Sequence, residues 1–225
     1  MEKSLGFVIA ALPALLQGAL ITLQLTAAAV ALGSIGGIAL GIARLSKIWL
    51  IRLAARVYID FFRGTPLLVQ LFMIYFGVPP LVRSIGIDFT FSQWSAAIVG
   101  LSLNSAAYLA EIVRAGIQSI EAGQKEASES LGLGPAQTMR YVVFPQALRR
   151  MIPPLGNEFI TLLKDTSLVA IIGYQELFRQ GQLIVARNFR AFEIWFTVAL
   201  IYLILNVIAS QAFSLLERKM TPTAK

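Results

Sequence analysis

Long apolar runs broken by short polar punctuation dominate this chain of 225 residues. Several runs approach the roughly 20 residues needed to cross a bilayer, which predicts membrane-spanning helices. No two-residue alternation of the barrel type appears, so a lipid-embedded barrel is excluded. Five spans are expected. The first covers residues 18–43, and residues 1–17, interrupted by Pro13, read as a separate interfacial or entry helix. The second covers residues 57–78, the third 94–116 and the fifth 192–216, leaving 218–225 as a tail. The fourth reads as a short segment, 155–163, whose entry is broken by Pro153 and Pro154. Residues 167–190 mix apolar and charged positions and read as a partly buried return loop, with Glu176 opposed by Arg179.

The polar positions inside the spans carry the next layer of information. Gly33, Gly37 and Gly41 recur every fourth residue and predict a face for close helix packing. Asn104, Tyr108 and Glu111 stand at i, i+4 and i+7 of the third span, so they share one stripe. Polar groups at that depth must face protein or water. Two readings stay open for the stripe: the wall of a translocation cavity, or hydrogen-bonding glue to a neighbouring helix, with Glu111 paired to Arg114. In the fourth span Glu158, Thr161 and Asp165 share one side. Glu158 is read as facing a substrate, the alternative being an internal ion pair with Lys164.

Composition and charge narrow the function. The chain is 57% apolar and 14% charged, and it contains neither Cys nor His. Thiol nucleophiles, disulfides, haem ligation and the usual zinc sites are therefore excluded, and no metal site is expected. The net charge of +7 is no nucleic-acid signal, because the basic residues flank the apolar spans. Arg44, Lys47, Arg52 and Arg56 form a connector without an acid, and Arg149, Arg150, Arg218 and Lys219 extend the same bias. It places the N-terminus outside and the C-terminus in the cytoplasm. No GxxxxGK[ST] phosphate loop is present, so the chain does not hydrolyse ATP by that route.

The polar segment of residues 121–157 is the most structured punctuation. Glu126 to Leu131 holds a helical turn or two, Gly132 and Gly134 permit a left-handed exit, and Pro135 starts another short helix. Within it Glu126, Ala127, Gly132, Phe144 and Pro145 resemble the EAA signature of permease subunits of bacterial ATP-binding cassette importers. Ser128, Val142 and Phe144 depart mildly from the usual Ala, Ile and Leu. Arg63, Gly64, Thr65 and Pro66 are similar to the RGTP segment of polar amino acid permeases. The same residues also permit a structural account, with Asp60 paired to Arg63 and Pro66 bending the helix.

The resemblance, to the His/Glu/Gln/Arg/opine group, implies an all-α membrane protein of type I ABC importer permease (MetI-like) architecture over residues 18–217. It implies five transmembrane helices and short cytoplasmic coupling helices in a loop over residues 118–145. Such a permease sits in the bacterial cytoplasmic (inner) membrane and binds no cofactor itself. Two ATPase subunits, holding ATP and Mg, would grip Glu126, Ala127, Ser128, Leu131, Gly132 and Pro145. A second permease, identical or homologous, and an external amino-acid-binding protein complete the partners, along with membrane lipid; nucleic acid is not among them. Some members of the group hold the amino acid within the membrane, and Asn104 and Glu158 are the candidate contacts, with Tyr108, Thr161 and Gln70 nearby. The competing reading is a channel or secondary transporter that needs no ATPase.

Overall fold

The computed structural model describes residues 2–220, and every element in it is helical. Residues 221–225 of the expected tail, and the side chain of Lys3, lie outside what is described. Helix α1 runs unbroken over Glu2–Arg44, so the expected entry helix and first span are one element. Pro13 is accommodated on an exposed side of it. At 1.5 Å per residue its 43 residues extend about 65 Å, roughly twice the hydrocarbon thickness.

The second crossing is not the single span expected over residues 57–78. It is split into α2 (Trp49–Gly64) and α3 (Leu67–Phe72), followed by a π-helical turn (Met73–Gly77) and α4 (Val78–Ser84). Averaged hydropathy hides such a break. The cause is Pro66, which disfavours helical geometry at the preceding residue, and Thr65 is accordingly extended. Helix α5 (Gln93–Gln118) is the third crossing, opened by the Ser92 hydroxyl, which accepts from the Ser95 N–H.

The hydrophilic arm contains α6 (Ala122–Ser130), the single turn α7 (Pro135–Gln137) and a π-helical stretch, Thr138–Val143. It leads without a gap into α8 (Phe144–Asp165). The short fourth span expected over residues 155–163 is thus a helix of 22 residues, long enough to cross. Its prolines do not end it. Pro145 falls at the junction where the π-helical stretch passes into α8 and is exposed, and Pro153 and Pro154 lie on an exposed side, together with Arg149 and Arg150, whose carbonyls they free. The expected return loop is a 3₁₀ segment (Thr166–Ile172) and a regular helix, α9 (Leu177–Asn188), before α10 (Ala191–Met220).

The bundle is organised by the glycine face. Gly33, Gly37 and Gly41 oppose Ser105, Leu109 and Val113 in order, so α1 and α5 run parallel in a four-residue register. A β-carbon added at Gly37 would lie 2.5 Å from that of Leu109. Three apolar clusters result. One joins Leu25 and Ala29 to Leu71, Leu101 and Leu162, one joins Leu15 to Leu177 and Ile194, and one joins Leu45 to Ile117, Val143 and Met151. The last places the α1–α2 turn and the hydrophilic arm at the same end of the bundle.

Candidate translocation site and coupling arm

The site begins with the defect at Pro66. A helix passing through that position would have bonded its N–H to the carbonyl of Phe62, and proline has none. Gln70 supplies the missing donor. Its Nε2 donates to the Phe62 carbonyl at 2.8 Å, and lies 3.0 Å from the Thr65 carbonyl and 2.8 Å from Thr65 Oγ1. Its Oε1 accepts from Asn104 Nδ2 at 2.9 Å, and Asn104 also approaches the Phe62 carbonyl at 3.4 Å. Both side chains are almost fully buried. The broken helix is therefore repaired by two amides, and one of them fastens it to α5. This is the condition under which non-helical backbone is tolerated at membrane depth.

The break puts Gly64, Thr65 and Pro66 on the wall of a cavity of about 480 Å³ that residues of α5 and α8 also line. Asn104, Tyr108, Glu158 and Thr161 all line it, so four of the five predicted substrate residues share one space. Gln70 does not line it and instead holds its wall. Asp165 lines it, and so does Arg63, which sequence reasoning had paired with Asp60. Asp60 instead pairs with Arg56 at 3.3 Å, an exposed contact of small energetic weight. The Arg63 guanidinium lies over the Tyr108 ring at 5.3 Å. The cavity thus gathers one cation, two carboxylates and an aromatic hydroxyl. The RGTP resemblance was the available signal for Arg63.

A second cavity, about 520 Å³, shares Arg63, Tyr108 and Glu158 with the first and continues past Glu111 and Asn157 to Ser119 and Arg150. The two make one polar route from the broken helix to the end that bears the arm. Glu111 there is held by Arg114 at 2.7 Å and Arg44 at 3.5 Å, so the glue expected of the α5 stripe is present beside the cavity. Arg114 also donates to Gln118 Oε1, and Arg150 donates to the Ser119 carbonyl, tying α8 to the end of α5.

The arm is built as its glycine predicts. Gly132 takes φ +81°, the Leu133 N–H donates to the Ser128 carbonyl at 3.1 Å and the Gly132 N–H to the Glu129 carbonyl at 2.9 Å. These two bonds close α6 and turn the chain. Gly134, the other candidate for a left-handed exit, has φ −69° and precedes Pro135 with its N–H bonded to Gln137 Oε1 at 3.0 Å. Glu126, Ala127, Gly132 and Pro145 are exposed, and Leu131 is 82% exposed, the most uncovered leucine of the arm. Ser128 is the exception. It is buried, with its hydroxyl 2.9 Å from that of Thr138, so it joins α6 to the π-helical stretch rather than facing outward.

Glu176 also departs from expectation. Its carboxylate does not meet the Arg179 guanidinium, which donates to Gln182. It is fully buried and caps α9, accepting from the N–H groups of Phe178 at 2.9 Å and Arg179 at 2.7 Å and from the Tyr202 hydroxyl at 3.0 Å. Thr22 Oγ1 adds a longer contact at 3.5 Å.

Comparison with known proteins follows the same lines. A family model described as a binding-protein-dependent transport system inner membrane component matches residues 33–222. The glutamine transport system permease protein GlnP of Escherichia coli (strain K12) is 46% identical over 210 residues, 93% of this chain and 94% of that protein. The octopine transport system permease protein OccM of Rhizobium radiobacter is 41% identical over 212 residues, 93% and 86% respectively. Among solved structures, an amino acid ABC transporter crystallised with histidines superposes with a TM-score of 0.86 at 41% identity, over 94% of this chain and 96% of that one. An inward-facing methionine transporter, MetNI, shares the fold at TM-score 0.72 and 24% identity, over 92% and 96%.

Proposed function

Because the chain belongs to the binding-protein-dependent transport system inner membrane components and is the non-catalytic permease subunit of an amino acid ABC importer, we propose that the transported amino acid rests in the cavity between the broken helix, α5 and α8. The observation that carries this reading is the placing of Arg63 across one polar space from Glu158 and Asp165. A zwitterion needs both signs. Arg63 receives the α-carboxylate, Glu158 faces the ammonium group, and Asn104, Tyr108 and Thr161 offer neutral hydrogen bonds. Gln70 acts by holding Asn104 and the break. Pairing in a water-poor space is the energetic reason for keeping a carboxylate at that depth.

The family works with a separate ATPase, a second permease and a binding protein, and the likeness leaves no role for an ATPase-independent channel or secondary transporter. The finer assembly is our reading: two ATPase subunits carrying ATP and Mg, a cytoplasmic arm, the N-terminus outside and the C-terminus inside. The clustering of Arg44, Lys47, Arg52, Arg149 and Arg150 at the arm's end of the bundle supports that orientation. ATP-driven closure of the ATPases pushes on Leu131 and the exposed face of α6. Ser128 and Thr138 pass the push to α8, and Arg150 couples α8 to the end of α5, widening or closing the polar route.

ATP-driven uptake by the complete complex in proteoliposomes tests the site. With Glu158→Gln, half-saturation for the preferred amino acid is expected to rise about tenfold or more, the loss of one charged hydrogen bond. Unchanged uptake and affinity across a panel of amino acids would remove Glu158 from the site.

A further inference from the structure

A further cavity of the bundle is apolar. It measures about 640 Å³ and opens between α1, α5, the π-helical stretch of the arm and α8, walled by Ile38, Ile42, Leu109, Val113, Phe144 and Leu148 among others. Only two hydroxyls reach it, and both are engaged: Ser34 donates to the Val30 carbonyl at 2.6 Å, and Ser46 accepts from the Ile48 N–H at 3.2 Å. A polar solute entering would lose its hydrogen bonds to water and find at most the Ser46 hydroxyl in return, so this space is poorly suited to the transported amino acid. It is well suited to hydrocarbon, and a membrane surrounds the bundle.

The mouth adds a charge. Ser46 lies at the edge of the cavity, and Arg52 reaches back to its carbonyl at 3.0 Å, which holds a guanidinium there with donors to spare. Lys47 follows immediately and is exposed, and no acidic residue occurs from Arg44 to Ile59. Trp49 beside them is exposed, as expected of a side chain at the level of lipid headgroups.

We propose that this cavity is a site for one acyl chain of an anionic phospholipid, with its phosphate held by Lys47 and Arg52. The walls explain why it matters. Ile38 and Val113 belong to the closely packed α1–α5 pair, whereas Met139 belongs to the arm and Phe144 opens α8, so, on the coupling motion proposed above, the chain fills a joint between that pair and the elements that are pushed. A flexible hydrocarbon lets the joint change shape without opening a void.

The test uses the permease with its ATPase in nanodiscs of equal parts phosphatidylcholine and phosphatidylglycerol, followed by delipidation and native mass spectrometry. Wild type is expected to retain phosphatidylglycerol in preference to phosphatidylcholine. Lys47→Gln with Arg52→Gln should reduce that preference about tenfold or more, since each basic group contributes to anionic lipid attraction. Ile38→Trp, which fills the cavity, should abolish retention, and Leu32→Trp, exposed on the same helix but outside the cavity, should not. Ile42→Trp at the mouth provides a second filling variant should Ile38→Trp fail to assemble. Equal retention in wild type and the filling variant, or retention blind to headgroup charge, would overturn the proposal. So would photocrosslinking from Ile42→Cys, unique in a chain without cysteine, that captured a second permease instead of lipid.

Discussion

Replacing Gln70 by Leu tests whether two amides hold the broken helix together. The substitution keeps the volume and removes the polar head, with three effects. The Phe62 carbonyl is left with only the 3.4 Å contact from Asn104, the Thr65 carbonyl loses its donor, and the Asn104 amide loses its 2.9 Å acceptor. A primary amide has two N–H groups, so of the three nearby acceptors two are well served at once, and with the Asn104 bond three bonds disappear. Hydrogen bonds between transmembrane helices average about 0.6 kcal/mol each, which puts the loss near 2 kcal/mol. Pro66→Ala in the same background returns an N–H that a healed helix directs at Phe62. The pair is therefore expected to couple, with the double variant recovering about 0.6 kcal/mol relative to additivity. Reversible unfolding of the purified complex in mild detergent, followed by tryptophan fluorescence, measures all four corners of the cycle. Strict additivity, or a Gln70→Leu protein as stable as wild type, would refute the assignment of Gln70 as the substitute donor.

Three further outcomes follow from the geometry. Gly37→Ala sets its new methyl 2.5 Å from the Leu109 β-carbon and should cost about 1–3 kcal/mol, whereas Gly123→Ala, with nothing within 4 Å, should be nearly silent; thermal stability of the complex separates them. At Gly132 a β-carbon meets no neighbour, so Gly132→Ala carries only the left-handed penalty of about 1–2 kcal/mol, and Gly132→Asn should recover much of it; uptake per ATP hydrolysed is the readout, and equal coupling in all three proteins would refute the role of this turn. Glu176→Ala uncaps α9 and strands the Tyr202 hydroxyl, for an expected loss of about 2 kcal/mol, checked by hydrogen exchange at the Phe178 and Arg179 amides, which should accelerate while those of α5 do not.

The parts of the fold legible in the sequence were those governed by one rule at a time. Residues 94–116 and 192–216 are uninterrupted apolar runs, and each is a crossing helix; Gly33, Gly37 and Gly41 show their spacing directly as contact. Prolines misled in both directions. Pro66 breaks a helix that hydropathy joins, with Thr65 before it extended, and Pro153 and Pro154 leave intact the helix they were expected to interrupt, freeing only the carbonyls of Arg149 and Arg150 on an exposed side. At the candidate site, helical spacing put Asn104 with Tyr108 and Glu158 with Thr161 on one face each, and the resemblance joined the two faces; all four line one cavity. Arg63 and Gln70 needed the path of the broken backbone, which no periodicity encodes. Glu176 was misplaced for a similar reason: a capping carboxylate takes N–H groups of its own chain, and charge pairing along the sequence does not reveal that.

The ring of Tyr108 under the Arg63 guanidinium stands, with Glu158, where the two polar cavities meet. In the reading proposed above, a solute travelling between the chambers passes Arg63, one of its own anchors. The Tyr108 ring then competes with the solute for the Arg63 cation, so a stronger stack would loosen the hold on the solute. A solvent-facing cation on an aromatic ring is worth less than a buried ion pair, so the ring is a weak rival, and the same cation can be lent to a passing solute and taken back.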